Sequence, residues 1–211
     1  DLHTAYRRQR QMCIKRQEFI QKEPKVIPFI KKLTGSTEFI NNKERYCLWL
    51  VDASPADLRK MPLVMKRIEA CRQARLNGAP DRQKLADTPH LFREQKNPSS
   101  FIIVPAVSSA RRRYIPIGFL DGDTIATNLA TVIENAGLYD FGILTSNVHM
   151  AWMRTVAGRL GNGYRYSAKI VYNNFPWPEV TDAQKEKISR TAQGILDARA
   201  LYPDSSLADL Y

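Results

Sequence analysis

The sequence predicts an α+β fold, a mixed sheet with interleaved helices, on three observations. Short apolar runs rich in β-branched and aromatic residues, such as FIIV at residues 101–104, read as strands. Between them lie stretches whose apolar residues return every three to four positions, as on helices. The two kinds follow no strict strand–helix–strand repeat, which argues against a doubly wound parallel sheet.

The elements follow in chain order. Residues 1–33 hold nine Lys/Arg against three acids and read as a basic N-terminal helix over residues 4–21, with Pro24 and Pro28 breaking the remainder into a connector. In FINNKERYCLWLV, residues 39–51, Tyr46, Leu48 and Leu50 alternate with Cys47, Trp49 and Val51, predicting a hairpin that turns at Asn41-Asn42. Ser54 and Pro55 supply the cap and first residue of a short helix. A longer one spans residues 62–76, with Leu63, Val64, Ile68 and Cys71 on one side. Lys66, Arg67, Arg72 and Arg75 fall elsewhere on it and read as a solvated face, and Asn77-Gly78 closes it.

FIIVPAVSSARRRYIPIGFLDGD, residues 101–123, predicts a strand, a Ser-Ser-Ala-Arg-Arg-Arg connection, a second strand from Tyr114 and a turn at Asp121-Gly122. DFGIL, residues 140–144, reads as a strand. The next helix opens at Thr145 or Ser146, with an apolar stripe of Val148, Trp152, Val156 and Leu160. It ends in GRLGNGYRYS, residues 158–167, and SAKIVYN, residues 167–173, reads as the strand after it. The prolines of NNFPWPEV fix aromatic residues in place. Thr181 with Gln184 forms a capping box that opens a mildly acidic C-terminal helical tail, running to about Ala200.

Several function classes are not signalled. No apolar run approaches the roughly 18 residues of a membrane span, and the first residues lack the apolar stretch of a signal peptide. The chain begins without Met and reads as a piece of a longer protein. Cys13, Cys47 and Cys71 form no C-x-x-C pair, which fits reduced thiols in the cytoplasm. No metal site is expected, because His3, His90 and His149 share no ligand spacing with the cysteines. Neither phosphate-binding glycine motif is present, nor a nucleophile elbow, nor a zinc-protease helix. Asp121 and Asp123 read as a turn, and His149 as a packed residue. No catalytic residue is assigned.

Charge is the informative quantity. Thirty-two Lys+Arg against twenty-one Asp+Glu give a net charge of +11, with a pI near 9.7, which favours a polyanionic partner. Arg111, Arg112, Arg113 and Tyr114 fall on one connection, and Arg159, Tyr164, Arg165 and Tyr166 on another. Arginine grips phosphates or pairs with guanine, tyrosine stacks, and asparagine pairs with adenine. Taken by itself, Gly161-Asn162-Gly163 reads as a helix cap and turn and Arg165 as a surface residue. Two other functions stay open on these residues: a scaffold whose basic charge is incidental, and an RNA-binding module stacking bases on Trp49, Tyr114 or Tyr164.

Four phrases occur in one order: SSARRRYIPIGFL, FGILTSNVHMAWMRTVAGRL, YRYSAKIVYNNFPWP and SLADLY. Together they resemble the target-recognition region of MmeI-like adenine-specific DNA methyltransferases, the type IIL restriction-modification enzymes, from about residue 35 to residue 211. The resemblance implies sequence-specific recognition of double-stranded DNA in the cytoplasm, in phage defence. The parent polypeptide would join this region to a methyltransferase domain that modifies the exocyclic amine of an adenine with S-adenosylmethionine; the family also joins a nuclease, and whether this parent cuts DNA stays open. The catalytic Asn-Pro-Pro-aromatic motif is absent, and Asn174-Phe175-Pro176-Trp177 resembles it only superficially. No cofactor is therefore expected in this fragment, nor any transferase activity of its own.

The resemblance also implies roles. Gly161, Asn162, Gly163 and Arg165 fall at positions of base recognition, and so do Asn128 and Leu129 in an upstream cluster. Ser109, Arg111, Arg112, Arg113, Arg159, Tyr164, Tyr166 and Lys169 would contact the DNA backbone or groove. Relatives often carry charged residues where this chain has Gly161 and Gly163, which implies relaxed or backbone-mediated reading at the corresponding base pair. They also usually carry an acid at Ala110. The domains implied are a connector from the methyltransferase part at residues 1–33, the recognition domain at 34–178, and the start of a truncated C-terminal helical segment at 179–211.

Overall fold

A computed structural model describes residues 13–211. β1 (Cys13–Ile14) and α1 (Arg16–Lys22) precede a 3-10 turn (Pro24–Phe29), β2 (Ile30–Thr34), α2 (Ser36–Ile40) and β3 (Tyr46–Leu48). Helices α3 (Pro55–Arg59), α4 (Pro62–Leu76) and α5 (Pro80–Gln83) follow. Next come β4 (Ser100–Pro105), β5 (Val107–Ser109), β6 (Gly118–Asp121), β7 (Thr124–Ala126) and β8 (Ala130–Glu134). Then α6 (Leu138–Leu144) and α7 (Asn147–Val156) lead to β9 (Gly158–Leu160) and β10 (Gly163–Arg165). A π-helical turn (Ala168–Tyr172), α8 (Asp182–Ala200) and α9 (Leu207–Leu210) complete the chain. The α+β expectation holds, with the strands distributed over three small sheets ordered β1-β3-β2-β7, β6-β4-β8 and β5-β10-β9. No helix among the described residues is long and apolar enough to cross a membrane.

The chain divides into two compact units. The first contains the described residues of 1–33, 44–97 and 123–125. Its core gathers Val26, Leu33, Leu48, Leu50, Met61, Val64 and Cys71, with Trp49 and Phe92 at 5.4 Å between ring centroids. α4 begins at Pro62, and the buried Glu23 carboxylate accepts the next two backbone N–H groups, from Leu63 and Val64, at 3.1 and 3.0 Å. A carboxylate there offsets the unpaired donors and positive end of the helix. The solvated-face expectation fails at Arg75, which is buried. Its guanidinium donates to the carbonyls of Leu85, Thr88 and Leu91 at 2.6, 2.7 and 2.6 Å, folding that segment onto the helix.

The second unit contains residues 34–43, 98–122 and 126–211. β4 is its central strand, antiparallel to β6 and β8, and is buried from Phe101 to Pro105. α6 crosses α8 at Gly142, where a Cβ would come within 2.8 Å of Ile188 Cγ2 and 3.1 Å of Ala192 Cβ. α8 begins at the Thr181–Gln184 capping box as expected and sends Arg199 to the carbonyl of Ile117 at 2.8 Å.

Four expected elements are corrected. There is no hairpin over residues 39–51, because Phe39 lies in α2, where the Glu38 carboxylate caps the Gly35 N–H at 3.0 Å. DFGIL is helical within α6, whose first turn is closed by Asp140 on the Gly137 N–H at 2.7 Å. SAKIVYN forms the π-helical turn instead of a strand. The second strand begins at Gly118, not Tyr114, since Pro116 lacks the ladder N–H. The N-terminal helix is described only as α1; residues 4–12 lie outside the described part, and Cys13–Ile14 is a strand.

Candidate nucleic-acid interface

GRLGNGYR is a two-residue β-hairpin, not a helix end. Leu160 pairs with Gly163, Arg159 with Tyr164 and Gly158 with Arg165. Among the two turn residues only Gly161 has a positive φ, +55°, as a II′-type turn requires. Gly163 is fixed for another reason: a Cβ there would stand 2.8 Å from the Ser108 carbonyl on β5. Turn and strand approach thus each require a glycine, leaving Asn162, exposed at the tip, as the one side chain between Leu160 and Tyr164.

β5 pairs with the other side of β10, bringing Ser109 abreast of Gly163, Ser108 of Tyr164 and Val107 of Arg165. Side chains alternate between faces. Ser108 and Tyr164 turn inward, where Tyr164 packs on the core, and Arg159 covers its ring with the guanidinium carbon 3.9 Å from the centroid. Arg159 also donates to the Tyr164 hydroxyl at 3.2 Å. The other face carries Arg165, Ser109 and Leu160, all exposed.

The Arg111–Arg113 connection is anchored at both ends. The Arg111 N–H donates to Ser109 Oγ at 3.2 Å, and the Ala110 N–H to the Asn162 carbonyl at 3.4 Å. At its far end Arg154 of α7 donates to the Arg113 carbonyl, and the Tyr114 hydroxyl donates to Asn147 Oδ1 at 2.9 Å. Sequence reasoning passed over Arg154; its signal is that it is the one charged residue of that helix, set in its last turn. Segments 107–120 and 147–178 carry Arg111, Arg112, Arg113, Arg154, Arg159, Arg165 and Lys169 and no Asp or Glu. None of the seven is ion-paired among the described residues.

The upstream cluster joins this region through Ala106. The Ala106 N–H donates to the Leu129 carbonyl at 3.1 Å, and its own carbonyl accepts the Tyr166 N–H at 2.9 Å. Asn128 is exposed on the β7–β8 turn and Leu129 is half-buried, its carbonyl also accepting from Ser36 Oγ. Lys169 is exposed on the π-helical turn.

Tyr166 is a correction. It is 2% exposed, its hydroxyl lies 3.1 Å from His149 Nε2, and burial pushes its pKa up, so it supports the sheet from beneath and meets no groove. The expected stripe on α7 is also displaced. Val148 is 71% exposed and Leu160 lies beyond the helix, while His149, Met150 and Met153 form the buried face. His149 is packed, as the sequence indicates, edge-on to Phe175 at 4.6 Å. Asn174 donates its amide to the carbonyls of Lys169 and Ile170 at 2.8 and 3.0 Å, and Phe175 is buried. Asn174-Phe175-Pro176-Trp177 therefore closes the π-helical turn.

Burial holds the His149 imidazole down at about 4. Because this is below the unfolded value of 6.5, the unfolded chain takes up the proton first. Stability from the neutral ring is complete above about pH 6.5 and falls as pH drops toward 4, by about 3 kcal/mol in full. Urea unfolding followed downward from neutral pH is expected to show this loss, and His149→Phe to flatten it. Coincident profiles would remove His149 as the cause.

A family model described as "MmeI, target recognition domain" matches residues 9–179, and one described as "MmeI, C-terminal domain" matches residues 180–211. The chain is 43% identical over 194 residues to DNA methyltransferase A of Bacillus subtilis (strain 168), covering 91% of this chain and 22% of that protein. Among solved structures it is similar to the type IIL restriction-modification enzyme MmeI in complex with DNA, with a TM-score of 0.93 and 39% identity, over 95% of this chain and 28% of that one. The chain thus spans less than a third of either relative.

Proposed function

Since the chain belongs to the MmeI target-recognition domain family, we propose that it reads the base sequence of double-stranded DNA and holds that DNA for a methyltransferase domain of the same polypeptide. The observation that carries this is the β5-β10-β9 sheet and its arginine connection, which together present cations without a counter-charge. Asn162 and Arg165 on the hairpin and Asn128 and Leu129 on the β7–β8 turn are the proposed base-reading residues. At Gly161 the main chain does the reading, while Gly163, expected to do the same, is buried between β9 and β5 and supports the hairpin instead. Ser109, Arg111, Arg112, Arg113, Arg159, Tyr164 and Lys169 hold the backbone or groove. Residues 34–178 carry recognition, 1–33 connect to the transferase part and 179–211 open the C-terminal helices.

The parent enzyme, on this proposal, methylates an adenine amine with S-adenosylmethionine in the cytoplasm; the relatives named above support it. The RNA-stacking alternative loses its first platform, because Trp49 is 6% exposed and packed on Phe92.

Mapping methylated adenines in DNA from cells expressing the full-length parent tests the assignment. Arg165→Ala is expected to loosen selection at one position of the site and to cost about 1–3 kcal/mol in binding. An equal loss on all sequences would make Arg165 a phosphate contact. Preference for single-stranded RNA over duplex DNA would overturn the proposed function.

A further inference from the structure

We propose that duplex DNA also approaches the protein main chain closely at Gly158, seating a phosphodiester against β9 beside Arg165. The inference rests on the DNA-reading function proposed above and adds a position that the arginine-and-tyrosine pattern does not reveal.

The three glycines of GRLGNG are held by different constraints. Gly161 is required by its left-handed φ and Gly163 by the Ser108 carbonyl. Gly158 has neither constraint: among the described residues, no atom beyond its own chain neighbours lies within 4 Å of the place a Cβ would occupy, and its φ is not left-handed. A glycine in a strand weakens it, and close approach of a ligand or another backbone is one of the recurrent reasons for keeping one there.

Three further observations place that approach. Gly158 is the cross-strand partner of Arg165, so a side chain there would stand about 5 Å, Cβ to Cβ, from the arginine on the same outward face. Arg165 is exposed and forms no ion pair among the described residues. β9 is the edge of its sheet; Leu160 and Gly163 flank a two-residue turn, so Gly158 pairs its own amide with Arg165, and it is the neighbouring Arg159 N–H that faces outward, free to donate to a phosphate oxygen.

The test uses the full 211-residue chain and a labelled duplex of mixed sequence at low salt. Gly158→Val, which favours the strand, is expected to keep the wild-type melting temperature within a few degrees and to weaken duplex binding about tenfold, the size of one good contact. Gly194→Ala is the control, since Gly194 is equally open but lies on α8, far along the chain from the hairpin; its binding should match wild type. If Gly158→Val binds like wild type while Arg165→Ala weakens binding, the approach at Gly158 is overturned and DNA reading stands. If the wild-type chain binds no duplex, the proposed function itself fails. Should Gly158→Val unfold, Gly158→Ala takes its place. A loss of about threefold or more supports the proposal, and unchanged binding overturns it.

Discussion

Raising the salt from about 50 to about 200 mM is expected to weaken duplex binding by the wild-type chain about 10³-fold or more. Each phosphate neutralised by Lys or Arg releases condensed counterions, so affinity falls as a power of the salt concentration. Seven unpaired cations lie on the proposed DNA-binding segments, and none has an acid within its own segment. With Arg111, Arg112, Arg113, Arg159 and Lys169 on phosphates, the slope of log K against log salt is about −4.5, and all seven cations together would bring it to about −6. Replacing Arg111, Arg112 and Arg113 by Ala should make that slope shallower by about 3. Arg165→Ala should change it by at most about 1, its main effect being on which sequence is preferred. A wild-type slope near zero would show these arginines to be merely solvated. Fluorescence anisotropy over a salt series decides it.

Arg75→Ala is expected to have the largest effect on stability, about 3–5 kcal/mol by urea unfolding. The guanidinium serves three carbonyls between residues 85 and 91. Removing it leaves them to find water or remain unmet, with a cost for each unsatisfied buried group. Arg75→Lys should recover only part of the loss, since an ammonium lacks the planar fork that reaches three acceptors in one plane. Arg72→Ala, one turn earlier and exposed, should change stability by less than about 0.5 kcal/mol. Equal effects at the two positions would refute the clamp.

What the sequence revealed of this fold follows from where the determining interactions lie. α4 and α8 are legible to the residue because their starts are written locally, in Pro62 and in the Thr181–Gln184 box. DFGIL is too short for its periodicity to separate strand from helix. The Gly137–Asp140 cap and the close crossing with α8 decide it, and the crossing depends on residues about fifty positions away. At Arg75 the helical wheel places a base off the apolar side, but only the returning segment reveals acceptors above it.

The interface divides in the same way. The arginines and tyrosines stand out from charge and composition alone. Two-residue spacing could not show that GRLGNGYR pairs with itself and with β5, because half of that ladder belongs to Val107–Ser109. For the same reason Tyr166 looks like its neighbours in sequence and proves to be buried, and Arg154 gains its role only from a carbonyl on another segment.

Ala106 carries one more implication. Its amide and carbonyl tie the Asn128-Leu129 turn to the strand leaving the hairpin, and both ties are main chain to main chain. The spacing between the two proposed reading positions is therefore indifferent to the side chains they display. If these are the reading positions proposed above, then, like type set in a fixed frame, the side chains at 128–129 and at 162 and 165 are expected to exchange one cluster at a time without resetting the distance between them.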